Sequence, residues 1–386
     1  MTDLTANWNY PTSIYTGVGR INELPEACKS LDITAPLIIT DPGLASLPMV
    51  EAARNACIKA GLCCSVFSNI QGNPTGQNVF NGVNAYKEGK HDGVIAFGGG
   101  SAIDAAKAVA LMVGQTRPLW DFEDVGDNWL RVNEEGVAPI VAVPTTAGTG
   151  SEVGRASVIT DVESSVKKII FHPKMLPQRV ILDPELTVGL PANITAATGL
   201  DALSHSLEAL CAPFYHPMAE GIAVESIRLI KEYLPRAIAD GNDLEARTQM
   251  LVASSMGATA FQKGLGAMHA IAHTLGALYG AHHGLLNAIL MPYVLKANRD
   301  EIETKIERLA CYIGLEDSSF DGFMYWVFEI RRNLNIPHAL SSLDIDDSQA
   351  ELVGIMSAKD PSAGGNPIIF TAEMYSTIFV SAVNGC

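Results

Sequence analysis

Residues 94–101 read Val-Ile-Ala-Phe-Gly-Gly-Gly-Ser. The apolar run predicts a strand buried on both faces, and the glycines predict a tight turn into a helix reaching about residue 113. Upstream, Pro-Leu-Ile-Ile-Thr at 36–40 predicts a second buried strand, closed by the turn Asp41-Pro42-Gly43. A helix is expected over 47–60, a strand over 63–67, a loop at Asn73-Pro74-Thr75 and a helix over 77–88. Downstream, Ala-Pro-Ile-Val-Ala-Val at 138–143 is a further strand, ending in Pro144-Thr145-Thr146. Residues 8–24 read as short strands around a Gly17-Val18-Gly19 turn. Strand and helix alternate, which marks a parallel α/β sheet. Near 184–194 the pattern changes, and helical periodicity takes over at 195–211, 217–239, 244–279, 285–298 and 301–313. The expected organisation is an α/β domain over 1–190 and an all-α domain over 191–386.

At 386 residues the chain has room for two such domains. It is 48% hydrophobic and 18% charged, which favours packed cores over disorder. A net charge of -16 argues against a nucleic-acid partner, whose phosphates need clustered Lys and Arg. The seven cysteines form no CxxC pair, and Cys63 adjoins Cys64, so reduced thiols and a cytoplasmic location are expected. The first residues, MTDLTANWNYP, lack the basic and apolar segments of a secretory signal. The apolar stretches are interrupted before they could span a bilayer, so no membrane partner is expected.

Two loops follow strands in the first half. Gly98-Gly99-Gly100-Ser101 opens a helix, with Ser101 suited to the N-cap and Asp104 to a capping-box partner. The free N–H groups and positive dipole end of that helix suit a pyrophosphate. The stretch is not GxGxxG, and a tight turn without a ligand is the other reading. Residues 144–152, PTTAGTGSE, again follow a strand and are rich in hydroxyls. Asp41 ends a strand too, where it suits either a ribose hydroxyl or plain turn initiation.

Residues 264–284, GLGAMHAIAHTLGALYGAHHG, hold four of the nine histidines. His269 and His273 share a helix face, while Gly280 and His283-Gly284 predict a helix stop and a turn. Asp201 and His205 are also four apart, beside Glu208, with Leu200, Leu203, Leu207 and Leu210 on the core face. Alone, that polar face reads as solvated. Joined by His269 and His283 it becomes one carboxylate and three imidazoles. That donor set suits Fe(II) or Zn(II) and lacks the thiolates of most structural zinc sites. For each single histidine the alternative is a hydrogen-bonded core residue.

GGGSAIDAAK at 98–107, PTTAGTGSE at 144–152, ATGLDALSHSLEA at 197–209 and GLGAMHAIAHTLGALYGAHHGLLNAILMPYV at 264–294 together resemble the iron-containing (group III) alcohol dehydrogenases. With their order and spacing they cover most of residues 10–300. The resemblance implies an N-terminal α/β nucleotide-binding domain and an all-α C-terminal domain, the dehydroquinate-synthase-like architecture. It implies Asp201, His205, His269 and His283 as ligands of Fe(II), with Zn(II) as the alternative metal. His273 would stand near nicotinamide and substrate as a catalytic group that does not bind metal. Asp41, Asn73, Gly98, Gly99, Gly100, Ser101, Thr145, Thr146, Thr149, Lys167 and Leu182 match positions that contact NAD, and Asp104 is placed with them.

The activity implied is hydride transfer between nicotinamide C4 and a primary alcohol or aldehyde at the metal. The protein would then be an NAD-dependent oxidoreductase, a homodimer or larger homo-oligomer. The alternative is an NAD- and metal-dependent lyase of the same architecture. Two departures bear on substrate. His282 stands where the family usually has Pro, and Arg155 and Lys263 replace small or apolar residues. Either these two hold an anionic group of the substrate, or they are ordinary surface cations.

Overall fold

The structure, a computed structural model, describes residues 12–164 and 166–386. Its strands are β1 (Ser13–Thr16), β2 (Pro36–Ile39), β3 (Ser65–Phe67), β4 (Gly93–Gly98), β5 (Ile140–Pro144), β6 (Ala156–Asp161), β7 (Val166–Phe171) and β8 (Arg179–Leu182). A strand without polar alternation fits only where both faces are covered. β2, β4 and β5 are buried at every position and lie inside a parallel sheet of order β1-β8-β5-β4-β2-β3. The helices among them are α1 (Leu24–Lys29), α2 (Pro42–Ala45), α3 (Pro48–Lys59), α4 (Gly76–Glu88) and α5 (Gly100–Met112). From β2 the chain steps outward to β3, then returns to β4 and continues to β5 and β8. The order therefore reverses between β2 and β4, and the carboxyl end of such a switch point is where open α/β sheets hold ligands.

The chain forms two compact units that meet in sequence at Gly189 and Leu190. Of the expected 1–190 domain, residues 1–11 lie outside the described residues. The second unit is helical: α6 (Ala192–Cys211), α7 (Pro217–Ala239), α8 (Leu244–Ala260), α9 (Ala267–Tyr279), α10 (His283–Ala297), α11 (Arg299–Tyr312), α12 (Phe320–Asn333), α13 (Ala350–Lys359) and α14 (Ala372–Asn384). Among the described residues no helix is long and apolar enough to cross a membrane.

Four local expectations are corrected. Residues 20–29 are helical, where strands were expected to 24, because Pro25 fits the first turn of α1. The helix expected over 244–279 breaks after Ala260, and the chain passes Gly264 at a φ of 141 before α9 begins. β6 and β7 form an antiparallel hairpin that the reading by strand and helix alternation passed over. Finally, α5 is capped by Gly99, not by Ser101. Asp104 forms no capping box and faces the second loop, accepting from Ser151 Oγ and from Val158 N at 2.9 Å.

Asp104 has a partner one turn on. Lys107 is fully buried, and its ammonium donates to the carbonyls of Ser151, Gly154 and Ala156 while standing 3.4 Å from Asp104. One helix thus fixes the chain after β5 through a buried charge pair. Removing a single partner of such a pair strands the other groups without water. Lys107→Met is expected to lower stability by about 3 kcal/mol. The partly exposed Lys168, paired with Asp161 at 3.0 Å, serves as control, and Lys168→Met should cost under about 1 kcal/mol. Denaturant midpoints of the two variants check the contrast; similar shifts would remove the rivet role of Lys107.

Candidate functional site

In the first unit the parallel register sets Gly98 beside Pro144, and Thr145 N donates to Gly98 O at 3.0 Å. The glycine turn and the second loop therefore emerge side by side. A Cβ on Gly100 would stand 2.5 Å from Thr149 Cγ2, so only glycine allows this approach. Gly99 lies beside Thr146, where a Cβ would make only ordinary contact, 3.6 Å from the threonine side chain. Asp41 caps α2, its Oδ1 accepting from Leu44 N at 2.9 Å, while Oδ2 lies 3.7 Å from where a Gly98 Cβ would be. Asp41, Gly98, Gly99, Gly100, Ser101, Thr145, Thr146 and Thr149 are thus gathered at the carboxyl ends of β2, β4 and β5. Asn73 and Lys167 meet directly, with Lys167 Nζ donating to Asn73 Oδ1 at 2.8 Å. Leu182 ends β8 with its side chain in the core. Asp104 is committed to the protein itself, as described above.

In the helical unit, α6 carries Asp201 and His205 one turn apart, α9 carries His269, and His283 is the first residue of α10. The fourth residue of the expected set thus comes from a helix start, not a turn. Asp201, His205 and His269 are buried, and one donor atom from each lies within 4.8 Å of the others. His283 Nε2 stands 3.7 Å from Asp201 Oδ1. Gly284 makes this possible, since a Cβ there would meet the Ala197 carbonyl at 2.6 Å. The rings of His205 and His269 stack at 4.6 Å.

Three residues outside the expected set organise these donors. Glu208, buried one turn beyond His205 on α6, accepts from His269 Nδ1 at 2.6 Å, Gly266 N at 2.8 Å and Met268 N at 2.7 Å. The carboxylate thereby fixes the His269 tautomer with the proton on Nδ1 and the Nε2 lone pair toward the cluster. Asn287 donates from Nδ2 to Asp201 Oδ1 at 2.8 Å. Asp360 accepts from His273 Nδ1 at 3.1 Å, and the His273 ring stacks on His283 at 5.2 Å. The helical spacing of Glu208 from His205 was a usable signal. Asn287, four residues after His283 on α10, carries a similar signal, whereas nothing local points from Asp360 to the cluster.

Burial alone would raise the Asp201 carboxyl; the charges of His205, His283 and His269, with the Asn287 amide, outweigh it and hold the group at about 2. Burial, and then the charge of His205, keep His269 well below the usual imidazole range. Burial lifts Glu208 to about 7 against the pull of the Gly266 and Met268 amides, yet the three N–H donors around it need an acceptor. Burial would raise the Asp360 carboxyl, but the charge and hydrogen bond of His273, together with hydrogen bonds from Ser362, hold it below the usual range. Asp201 and His269 are therefore in the deprotonated forms that bind metal near neutral pH. The fit extends to His205, whose buried Nδ1 has no hydrogen-bond partner in the protein. One hard carboxylate oxygen with imidazole nitrogens suits Fe(II) or Zn(II).

The two cations expected at the substrate fare differently. Lys263 is buried, its ammonium donating to Leu210 O at 2.9 Å and pairing with Glu220 at 2.6 Å. It is the buried end of an ion pair within the protein, which corrects the substrate role expected of it. Arg155 is half-buried, with its guanidinium over the Phe171 ring and the Asp124 charge nearby. His282 caps α10 by accepting from Leu285 N at 3.4 Å, a local role that replaces the usual Pro.

The profile of iron-containing alcohol dehydrogenases matches residues 11–184, and that of the Fe-containing alcohol dehydrogenase family's C-terminal part matches 195–383. A 4-hydroxybutyrate dehydrogenase of Cupriavidus necator is 40% identical over 297 residues, which is 75% of this chain and 76% of that protein. An NAD-dependent methanol dehydrogenase of Bacillus methanolicus is 33% identical, covering 98% of this chain and 100% of its own. The crystal structure of a 1,3-propanediol oxidoreductase superposes with a TM-score of 0.93 at 32% identity, over 98% of this chain and 100% of that one.

The orienting role of Glu208 has a measurable consequence. Glu208→Gln places an amide NH₂ against N–H groups that need an acceptor, and His269 loses its fixed tautomer. Divalent metal affinity is expected to fall about 10- to 100-fold, read by competition with a chromophoric chelator. An unchanged affinity would show that His269 is oriented by packing alone.

Proposed function

The chain belongs to the iron-containing alcohol dehydrogenase family, and from that membership we propose how its own residues carry the reaction. It is a metal-dependent NAD(H) oxidoreductase that interconverts small alcohols and aldehydes. The lyase alternative is not favoured. The observation that carries the assignment to residues is the convergence of Asp201, His205 and His269 within 4.8 Å, with His283 beside them.

Asp201, His205, His269 and His283 hold the divalent metal, with Fe(II) or Zn(II) suiting the donors. When bound, the metal supplies a Lewis acid that acidifies an alcohol hydroxyl or polarises an aldehyde carbonyl, and NAD supplies the hydride acceptor at C4. The remaining work falls to the chain. The N–H groups at the start of α5, with Gly98, Gly99, Gly100 and Ser101, receive the pyrophosphate. Thr145, Thr146 and Thr149 offer hydroxyls beside it, and Asn73 with Lys167 lines the same cofactor. Asp41 accepts from a ribose hydroxyl and repels a 2′-phosphate, which favours NAD over NADP. His273, oriented by Asp360, exchanges the proton that balances hydride transfer.

Finer readings follow on separate grounds. Arg155 holds an anionic end of the substrate, a reading supported by the relative named for 4-hydroxybutyrate. The seven cysteines are free, which supports a reducing, cytoplasmic setting. Exposed apolar side chains such as Tyr325, Phe328, Leu352 and Ile355 support a homodimer or larger homo-oligomer.

Two measurements test these proposals. Metal stripped by a chelator should abolish alcohol-dependent NADH formation, Fe(II) or Zn(II) should restore it, and Asp201→Ala should resist restoration. NADPH should serve poorly in the reverse direction. Full activity of the stripped protein would end the metal reading. For the substrate, Arg155→Ala should lower kcat/KM at least about tenfold more for a four-carbon aldehyde ending in a carboxylate than for butanal, as loss of a charge-assisted hydrogen bond implies. Equal losses would leave Arg155 without a recognition role.

A further inference from the structure

Asn287 is fully buried on α10, one turn beyond His283. Its Nδ2 lies 2.8 Å from Asp201 Oδ1, 3.2 Å from His269 Nε2 and 3.2 Å from His283 Nε2. An amide nitrogen only donates, so all three atoms face it as acceptors, and it has two hydrogens to share among them. Turning the amide over would press its oxygen against the Asp201 carboxylate. The amide oxygen, buried and without a hydrogen-bond partner, does nothing to hold the side chain in place. Asn287 is therefore held by the acceptors that its nitrogen faces.

Those acceptors belong to three of the residues assigned above to the metal. A neutral imidazole nitrogen has a single lone pair, in the plane of the ring. It can accept an N–H or bind a cation, but not both at once. A carboxylate oxygen has more than one lone pair and can do both. Loading the site therefore requires the amide to withdraw the hydrogen it shares between His269 and His283, while its bond to Asp201 can persist.

We propose that Asn287 is a placeholder in the metal site: its amide competes with the metal for the Nε2 lone pairs of His269 and His283. The inference rests on the ligand assignment proposed above. Without a donor, the buried lone pair of His269 beside a carboxylate would be left unsatisfied, which is costly. The amide thus keeps the donors assembled before the metal arrives, and it weakens binding by what its displacement costs. An ordinary orienting residue acts in the opposite sense, and its loss weakens metal binding about 10- to 100-fold.

The sign of the change separates the two roles. Asn287→Leu keeps the volume, and Asn287→Ala gives a second variant in case Leu does not pack. Both are expected to bind Zn(II) about 2- to 10-fold more tightly than the parent in chelator competition, the equivalent of one net hydrogen bond. Both should also lower the Tm of the metal-free protein more than that of the Zn(II)-loaded protein. The same or weaker Zn(II) affinity, or equal Tm losses in the two forms, would overturn the proposal. If Asp201→Ala binds Zn(II) as tightly as the parent, the ligand assignment fails instead, and the placeholder role falls with it.

Discussion

The helical unit depends on one buried carboxylate. Glu208 cannot be left unpaired in an apolar interior, and α6 offers it no partner. Its partners are the backbone N–H groups of Gly266 and Met268 and the ring of His269, all at the start of α9. A helix start has N–H groups that no residue of its own helix can satisfy, and a positive dipole end. Two needs meet at one place, so α9 has only one way to dock on α6. Asn366 completes the arrangement by accepting from Ala267 N at 3.1 Å. His269 then stands against His205 because its helix is fixed, not because the two rings attract.

The first unit uses the same device with the opposite charge. Lys107 on α5 caps three carbonyls of the chain after β5, and Asp104 beside it ties down Ser151 and Val158. A buried charge pair adds little net stability, because desolvation offsets most of the attraction. It does penalise every arrangement that leaves one partner unmet. In both units the charged group lies one turn past a residue proposed to meet a ligand: Glu208 follows His205 and Asp104 follows Ser101. Helical spacing puts support and contact on the same face.

Much of this could be read from the sequence where the pattern was local. β2, β4 and β5 are short apolar runs next to glycine or proline, and α7 shows clear periodicity. Asp201 and His205 stand out because four residues make a helical turn. What escaped is what depends on partners far along the chain. In the hairpin β6-β7, β6 alternates half-buried and buried residues while β7 is mostly half-buried and carries two lysines, so neither looks like the buried strands of the parallel sheet. Asp360 lies 87 residues from His273, and Asn287 lies 86 from Asp201, separations that no local spacing encodes. Lys263 misled for the opposite reason. A lysine in an apolar stretch suggests an anion to bind, and the anion was Glu220, on another helix.

The break between α8 and α9 shows why a failed local expectation carried information. Residues 244–279 have good helical periodicity, and a continuous helix would satisfy every backbone group in the stretch. It would also remove the helix start at Gly266. Glu208 would then face carbonyls and N–H groups already paired with one another, and its charge would be unmet. Gly264 and Gly266 weaken the helix at the one place where a restart can supply donors to that carboxylate. The cost of the break is local, an interrupted helical ladder and an unusual φ at Gly264. The return is non-local: it sets His269 at the height of His205. A continuous helix was the reasonable reading of the segment alone, and the requirement that overrides it comes from the carboxylate on α6.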